Sequence, residues 1–176
     1  MPSYTDLLAS LQRNSDQSVA AHIPETWMQG RTTYGGLTAA LSLQAALGLV
    51  EDLPIRSAQV AFVGPVGGDV LITPKLLRRG KNTAFVSVDI TAESGVTAQS
   101  IFAFGKAKPS AVNFDDMPMP DAPAPDQIQP FFRPDAPRPG FTQNFEMLIA
   151  SGKPPISGSD DPAIGLWMRH LDPNTP

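Results

Sequence analysis

The apolar positions of this chain recur with two different periods, and the changes of period mark out its elements. Near the start, Tyr4, Leu7, Leu8 and Leu11 fall three and four apart, one face of a short docking helix, and Ser3 with Asp6 has the S-x-x-D spacing of an N-terminal capping box. From Ser18 to Met28, β-branched and aromatic residues predict a strand, and Pro24, which cannot donate to a ladder, places that strand near an edge. The period then changes again. Leu37 to Val50 is apolar except for Thr38, Ser42, Gln44 and Gly48, and Gly35-Gly36 stand directly before it. This stretch predicts a helix of about 16 residues, roughly 24 Å long. Because it is apolar all round, it has to be covered on nearly every side.

Four extended stretches supply the cover. Ile55 to Val63 leads through the turn Gly64-Pro65-Val66-Gly67-Gly68 into Val70 to Leu77. Arg78-Arg79-Gly80-Lys81-Asn82 reads as a hairpin tip, with Gly80 expected to supply a positive φ. In Thr83 to Thr91 the residues Ala84, Val86, Val88 and Ile90 share one face, while Thr83, Ser87 and Asp89 share the other. Val96 to Phe104 alternates as well, and the pattern puts Val96, Ala98, Phe102 and Phe104 together. The predicted class is α+β: an antiparallel sheet with one apolar face, wrapped around one long central apolar helix.

Proline then ends the regular pattern. Fourteen of the 19 prolines lie from Pro109 onward, and a segment so short of amide donors runs extended over a surface. The expected organisation is an N-terminal domain over 1–108, a Pro-rich linker over 109–140 and a strand-bearing tail over 141–176. In the tail, Phe141 to Ile149 and Ile164 to Leu171 read as strands, with Trp167 in the core and Arg169 paired at the domain seam. Two strands cannot bury a core of their own, so the tail either docks on the first domain or opens a second one.

Composition narrows the function classes. A net charge of −4 argues against nucleic acid as a partner, because tracking phosphates takes a basic excess. The chain has no cysteine and two histidines, His22 and His170, so a metal centre is not expected, and the composition suits a reducing cytoplasm. The opening MPSYTDLLASLQRN lacks the pattern of a secretory signal, and the central run is shorter than the roughly 20 residues that span a bilayer, so no membrane partner is expected.

The stretches "WMQGRTTYGGLTAALSLQAA" and "LLRRGKNTAFVSVDITAESGVTAQSIFAFG", in that order, resemble the double-hotdog acyl-CoA thioesterases of the thioesterase-like superfamily, relatives of bacterial acyl-CoA thioesterase II. The resemblance covers about residues 15 to 108, and "FEMLIASG" with "GLWMRHLD" is similar to the opening of the second hotdog in those proteins. It implies the hotdog fold and hydrolysis of a fatty acyl-CoA to free acid and coenzyme A, a step of lipid metabolism that needs no cofactor. It also implies that an Asp, a Thr and a Gln holding the hydrolytic water come from the second hotdog, past Pro176, so no catalytic residue is assigned in this chain.

The residues themselves allow a binding role. Amides at a helix start point outward toward positive dipole potential, so Gly35 and Gly36 fit as donors to a thioester oxygen; equally, they fit a tight turn and close helix-to-sheet packing. Tyr34 and Leu37 belong to the same mouth or to the core. Arg31 beside the glycines, and Arg79 in the basic tip with Arg78 and Lys81, are candidates for coenzyme A phosphates. General bases are scarce: the helix carries no carboxylate, and Asp16, Glu25, Asp69, Asp89 and Glu93 sit at turns, strand ends or wet faces. Gln44, the one sizeable polar side chain of the helix, is expected to orient water, to bond a backbone group or to face the domain interface. His22 suggests a hydratase only weakly, since Thr26 to Tyr34 holds neither the Asp nor the His that such dyads place before the central helix. The expectation is the N-terminal portion of an acyl-CoA thioesterase. The alternative is a non-catalytic acyl-CoA-binding hotdog that pairs with another, and in either case a homo-oligomer formed by hotdog pairing is expected.

Overall fold

The computed structural model describes residues 2–133 and 135–175. A short helix, α1 (Tyr4–Ser10), begins at a complete capping box in which the Ser3 hydroxyl accepts from the Asp6 amide and the Asp6 carboxylate accepts from the Ser3 amide. It leads into β1 (Gln12–Arg13) and β2 (Val19–Ile23). The expected strand over 18–28 stops there: Pro24 opens a 3-10 turn, Glu25–Trp27, and the chain doubles back in a small hairpin of β3 (Met28–Gln29) and β4 (Thr32–Thr33). The central helix α2 (Gly35–Leu47) and the strands β5 (Ile55–Phe62), β6 (Gly68–Arg79), β7 (Thr83–Ala92) and β8 (Gly95–Gly105) follow. The six-stranded antiparallel sheet has the order β1-β2-β6-β7-β8-β5.

Register sets the core. Ile72, Ile90 and Ala98 lie side by side across β6, β7 and β8, as do Val86 with Phe102 and Ala84 with Phe104, and all are buried against α2. Each fully buried Val, Ile or Phe of this row contributes about 1.5–3 kcal/mol relative to exposure. The alternation expected for β7 holds. In β8 it slips: a register shift opposite Ile90 and Thr91 buries the neighbours Thr97 and Ala98, and Val96 turns outward, 47% exposed. Gly80 does not take a positive φ; its amide closes the hairpin tip by donating to the Thr83 carbonyl at 2.8 Å, while Gly95 (φ 103) provides the left-handed residue of the next tip.

The helix is shorter and less wrapped than its composition predicts. It spans 13 residues and ends in tight turns, Leu49 donating to Ala46 and Val50 to Leu47. Its sheet-facing side is Leu37, Thr38, Leu41, Ser42, Ala45 and Ala46, and the buried Ser42 hydroxyl is satisfied by the Thr38 carbonyl at 2.9 Å. The opposite side, Ala39, Ala40, Leu43, Gln44 and Leu47, is only half-buried. The edge strand β5 is open too: Phe62 is 61% exposed and Val63 62%.

After β8 the chain runs exposed and without regular structure over 106–124. Residues 128–131 then lie along β9 (Phe145–Gly152), with Phe131 donating to Met147 and Ile149 to Gln129. The segment expected to begin a strand at Phe141 is a 3-10 turn, Gly140–Asn144, and β9 pairs with β10 (Ile164–His170) as a separate two-stranded sheet. This hairpin docks on the main core by Phe145, 7% exposed, and Asn144 ties it to the Thr26 carbonyl at 2.9 Å. Trp167 is not a core residue: it is half-buried, and its indole donates to the Pro123 carbonyl. Arg169 pairs across the hairpin with Glu146 at 2.5 Å.

Candidate functional site at the start of the central helix

The start of α2 is fixed from both sides. Thr33 donates its amide and its hydroxyl to the Val66 carbonyl, at 2.7 and 2.8 Å, and the Tyr34 amide donates to Trp27 at 2.9 Å. Tyr34 is the N-cap residue and offers no side-chain cap; its carbonyl receives the Leu37 and Thr38 amides. The Gly35 and Gly36 amides therefore find no acceptor among the described residues, the condition in which a helix start binds negative charge. Both glycines are also demanded by packing. A Cβ on Gly35 would sit 3.1 Å from the Phe62 ring, and one on Gly36 would fall on the ring of Tyr34.

That tyrosine ring folds back over Gly36 and stacks flat on Phe141, 4.3 Å between centroids. Beneath it opens a cavity of about 400 Å³. Gly36, Leu37 and Ala40 form its helix wall, Tyr4 and Trp27 one side, and Phe145 with Met168, Arg169, His170 and Thr175 the other. Trp27 meets Phe145 edge to face at 6.0 Å, and His170 lies 4.5 Å from Phe145. Burial pushes the Tyr4 phenol above its ordinary pKa. His170 Nδ1 is buried without a partner among the described residues.

The structure thus brings together three of the six residues that the sequence nominates: Tyr34, Gly36 and Leu37. Gly35 is their neighbour, but it is turned under Phe62 and does not line the cavity. Arg31 lines a different, open groove of about 1130 Å³, bounded by the Pro65–Gly68 loop and the β7–β8 tip. Arg79 lies at the far end of α2, some 20 Å along the helix, paired with Asp52 at 2.5 Å, and its guanidinium holds the Asp52 carboxyl below the usual range. Gln44 faces Arg13 and Leu11 near α1. His22 makes a cross-strand bond to Asp69, 2.6 Å and solvent-exposed, and Asp16 is held ionised by the Ser18 hydroxyl and then by the Ser18 amide. Among the described residues no carboxylate side chain lines the cavity, and no group of three or more His, Asp or Glu is placed to hold a metal.

Tyr4, Trp27, Phe145 and His170 escaped the sequence reading as site residues. Each sits in a different element, and only the docked tail brings them together. The one signal available was the concentration of aromatic residues on both sides of the linker.

The sheet closed on a central helix that opens at Gly-Gly is the hotdog fold, shared with a solved hotdog protein of unknown function from Alicyclobacillus acidocaldarius at TM-score 0.81 and 22% identity, covering 94% of this chain and 62% of that one. Residues 23–105, a little under half of the chain, match the family model of the acyl-CoA thioesterase N-terminal domain. Two further solved structures are similar: the tesB protein of Mycobacterium avium subs paratuberculosis (TM-score 0.75, 18% identity, 99% of this chain and 64% of that one) and acyl-CoA thioesterase II TesB2 from Mycobacterium marinum (TM-score 0.69, 18% identity, 97% and 62%). The chain spans about three fifths of the length of these structures. A comparison with curated proteins finds no match.

Proposed function

We propose that this chain is the N-terminal portion of an acyl-CoA thioesterase and that its cavity receives the acyl end of the thioester. The observation that carries the reading is the pair of unpartnered amides at the start of α2, Gly36 being in the wall of an aromatic cavity. In hydrolysis, water oxygen bonds to the carbonyl carbon, the carbon–sulfur bond breaks, and the departing sulfur takes up a proton. Negative charge grows on the carbonyl oxygen meanwhile, and a fixed amide donor there is worth about 10²–10³ in rate. On this reading the Gly36 amide is that donor and the aromatic cavity is the apolar seat. It supplies no carboxylate base, and the family resemblance assigns the water-holding Asp, Thr and Gln to a second hotdog.

The missing carboxylate also favours a second reading, a non-catalytic acyl-CoA-binding hotdog. Two measurements separate the readings. Calorimetry with a panel of acyl-CoA thioesters is expected to show binding, and folded protein that binds none would sink both. Free-thiol release by the chain would establish catalysis, whereas binding without release supports the binding reading for the chain alone.

We further propose that another hotdog covers the half-buried side of α2 and the open β5 edge, so that the chain self-associates. Ala40 belongs both to that helix side and to the cavity wall, so the pairing seam and the acyl seat adjoin. No helix among the described residues is long and apolar enough to cross a membrane.

A further inference from the structure

We propose that the acyl group this cavity takes is compact and flat, an aryl or arylacetyl unit, and not an extended alkyl chain; the proposal rests on the thioester reading above. The first argument is length. Along α2 only Gly36, Leu37 and Ala40 line the cavity, a little over one turn and about 6 Å of rise. Leu43 and Leu47, the next residues on that side, are not in its wall, so a linear chain lying along the helix leaves the seat after its first few carbons. On the opposite wall β10 contributes Met168 to His170, three residues and roughly 7–10 Å of strand.

The second argument is the chemistry of the walls. Tyr4, Trp27, Tyr34 and Phe145 meet one another at steep angles: 62° for Tyr4 with Trp27, 86° for Trp27 with Phe145 and 70° for Tyr34 with Phe145. Trp27 and Phe145 are buried behind this wall, and the half-buried rings of Tyr4 and Tyr34 are the aromatic surface left to meet whatever enters. A flat ring gains edge-to-face and offset contacts worth about 0.5–1.5 kcal/mol beyond the area it buries, and a saturated chain gains the area alone. Tyr34 is held in place from behind by its stack on Phe141, so this wall is set before any ligand arrives.

The test uses phenylacetyl-CoA and octanoyl-CoA, matched in carbon number, with coenzyme A alone as the reference. Affinities come from calorimetry, and the indole N–H resonances report position: Trp27 lines the cavity, and Trp167 lines a separate one beside Pro125 and Leu148. Phenylacetyl-CoA is expected to bind about three- to tenfold more tightly than octanoyl-CoA and to shift Trp27 but not Trp167. Ala40→Leu, or the more exposed Met168→Trp, fills the seat and is expected to erase that preference in protein that still melts cooperatively. If octanoyl-CoA binds as well or better, or if the preference survives both fillings, the ring assignment falls and the thioesterase reading stands. If neither thioester binds more tightly than coenzyme A alone, both fall.

Discussion

Gly36 shows how one missing side chain serves two neighbours. In an exposed helix position, alanine in place of glycine would stabilise by up to about 1 kcal/mol. Here the added methyl meets the Tyr34 ring, which would have to leave Phe141. Gly36→Ala is therefore expected to destabilise, by about 1–3 kcal/mol as overpacking does, and urea unfolding checks the sign: a stabilised variant would mean that the ring moves aside freely. The glycine pair and the tyrosine were legible as a helix start, because glycine before an unbroken apolar run is a local signal. The ring stacked over them was not, because Phe141 lies 107 residues away from Tyr34 in sequence and only the docked tail brings it there.

Among the elements, the four long strands and the central helix were readable because each carries its own period over many residues. The readings that failed did so where a neighbour overrides that period. Pro24 cuts the first strand short, the β7–β8 register shift flips Val96, and the 3-10 turn before β9 takes up residues that alternate like a strand. Composition also overstated how fully α2 is wrapped, since small apolar residues such as Ala39 and Ala40 look the same whether a sheet or a partner covers them. If a partner does, a charge on that side prevents pairing. Ala39→Glu, which costs the helix little propensity, is expected to turn a dimer into a monomer by light scattering with its melting curve retained. An unchanged dimer mass would move the seam elsewhere.

At the scale of the whole molecule, the two ends of the chain hold each other. The Asp172 carboxylate accepts the Thr5 amide at 3.1 Å, at the start of α1, and also the Asn174 amide at 2.9 Å. The nearby Thr5 hydroxyl, which makes no hydrogen bond of good geometry, and these two amides lower the Asp172 pKa from 3.8 to about 2. A carboxylate held below its unfolded value adds stability above that value and loses it as pH falls through the folded one. The clasp is thus intact at neutral pH and lost between about pH 4 and 2. The protection of the β10 amides against hydrogen exchange, taken relative to the intrinsic rate at each pH, is expected to fall across that window in the native chain, and Asp172→Asn is expected to flatten the response. A response unaltered by the substitution would assign the loosening to other carboxylates. The cavity owes one whole wall to this docked hairpin, and the only covalent route to that hairpin passes through the exposed stretch 106–124, where Phe114, Met117 and Met119 stand almost bare. The hairpin is in effect a tethered ligand of its own chain, kept in place by the high local concentration that the tether imposes. A single protease cut beside Phe114 would replace that concentration with an ordinary dissociation constant, and dilution alone could then take the wall away from the site.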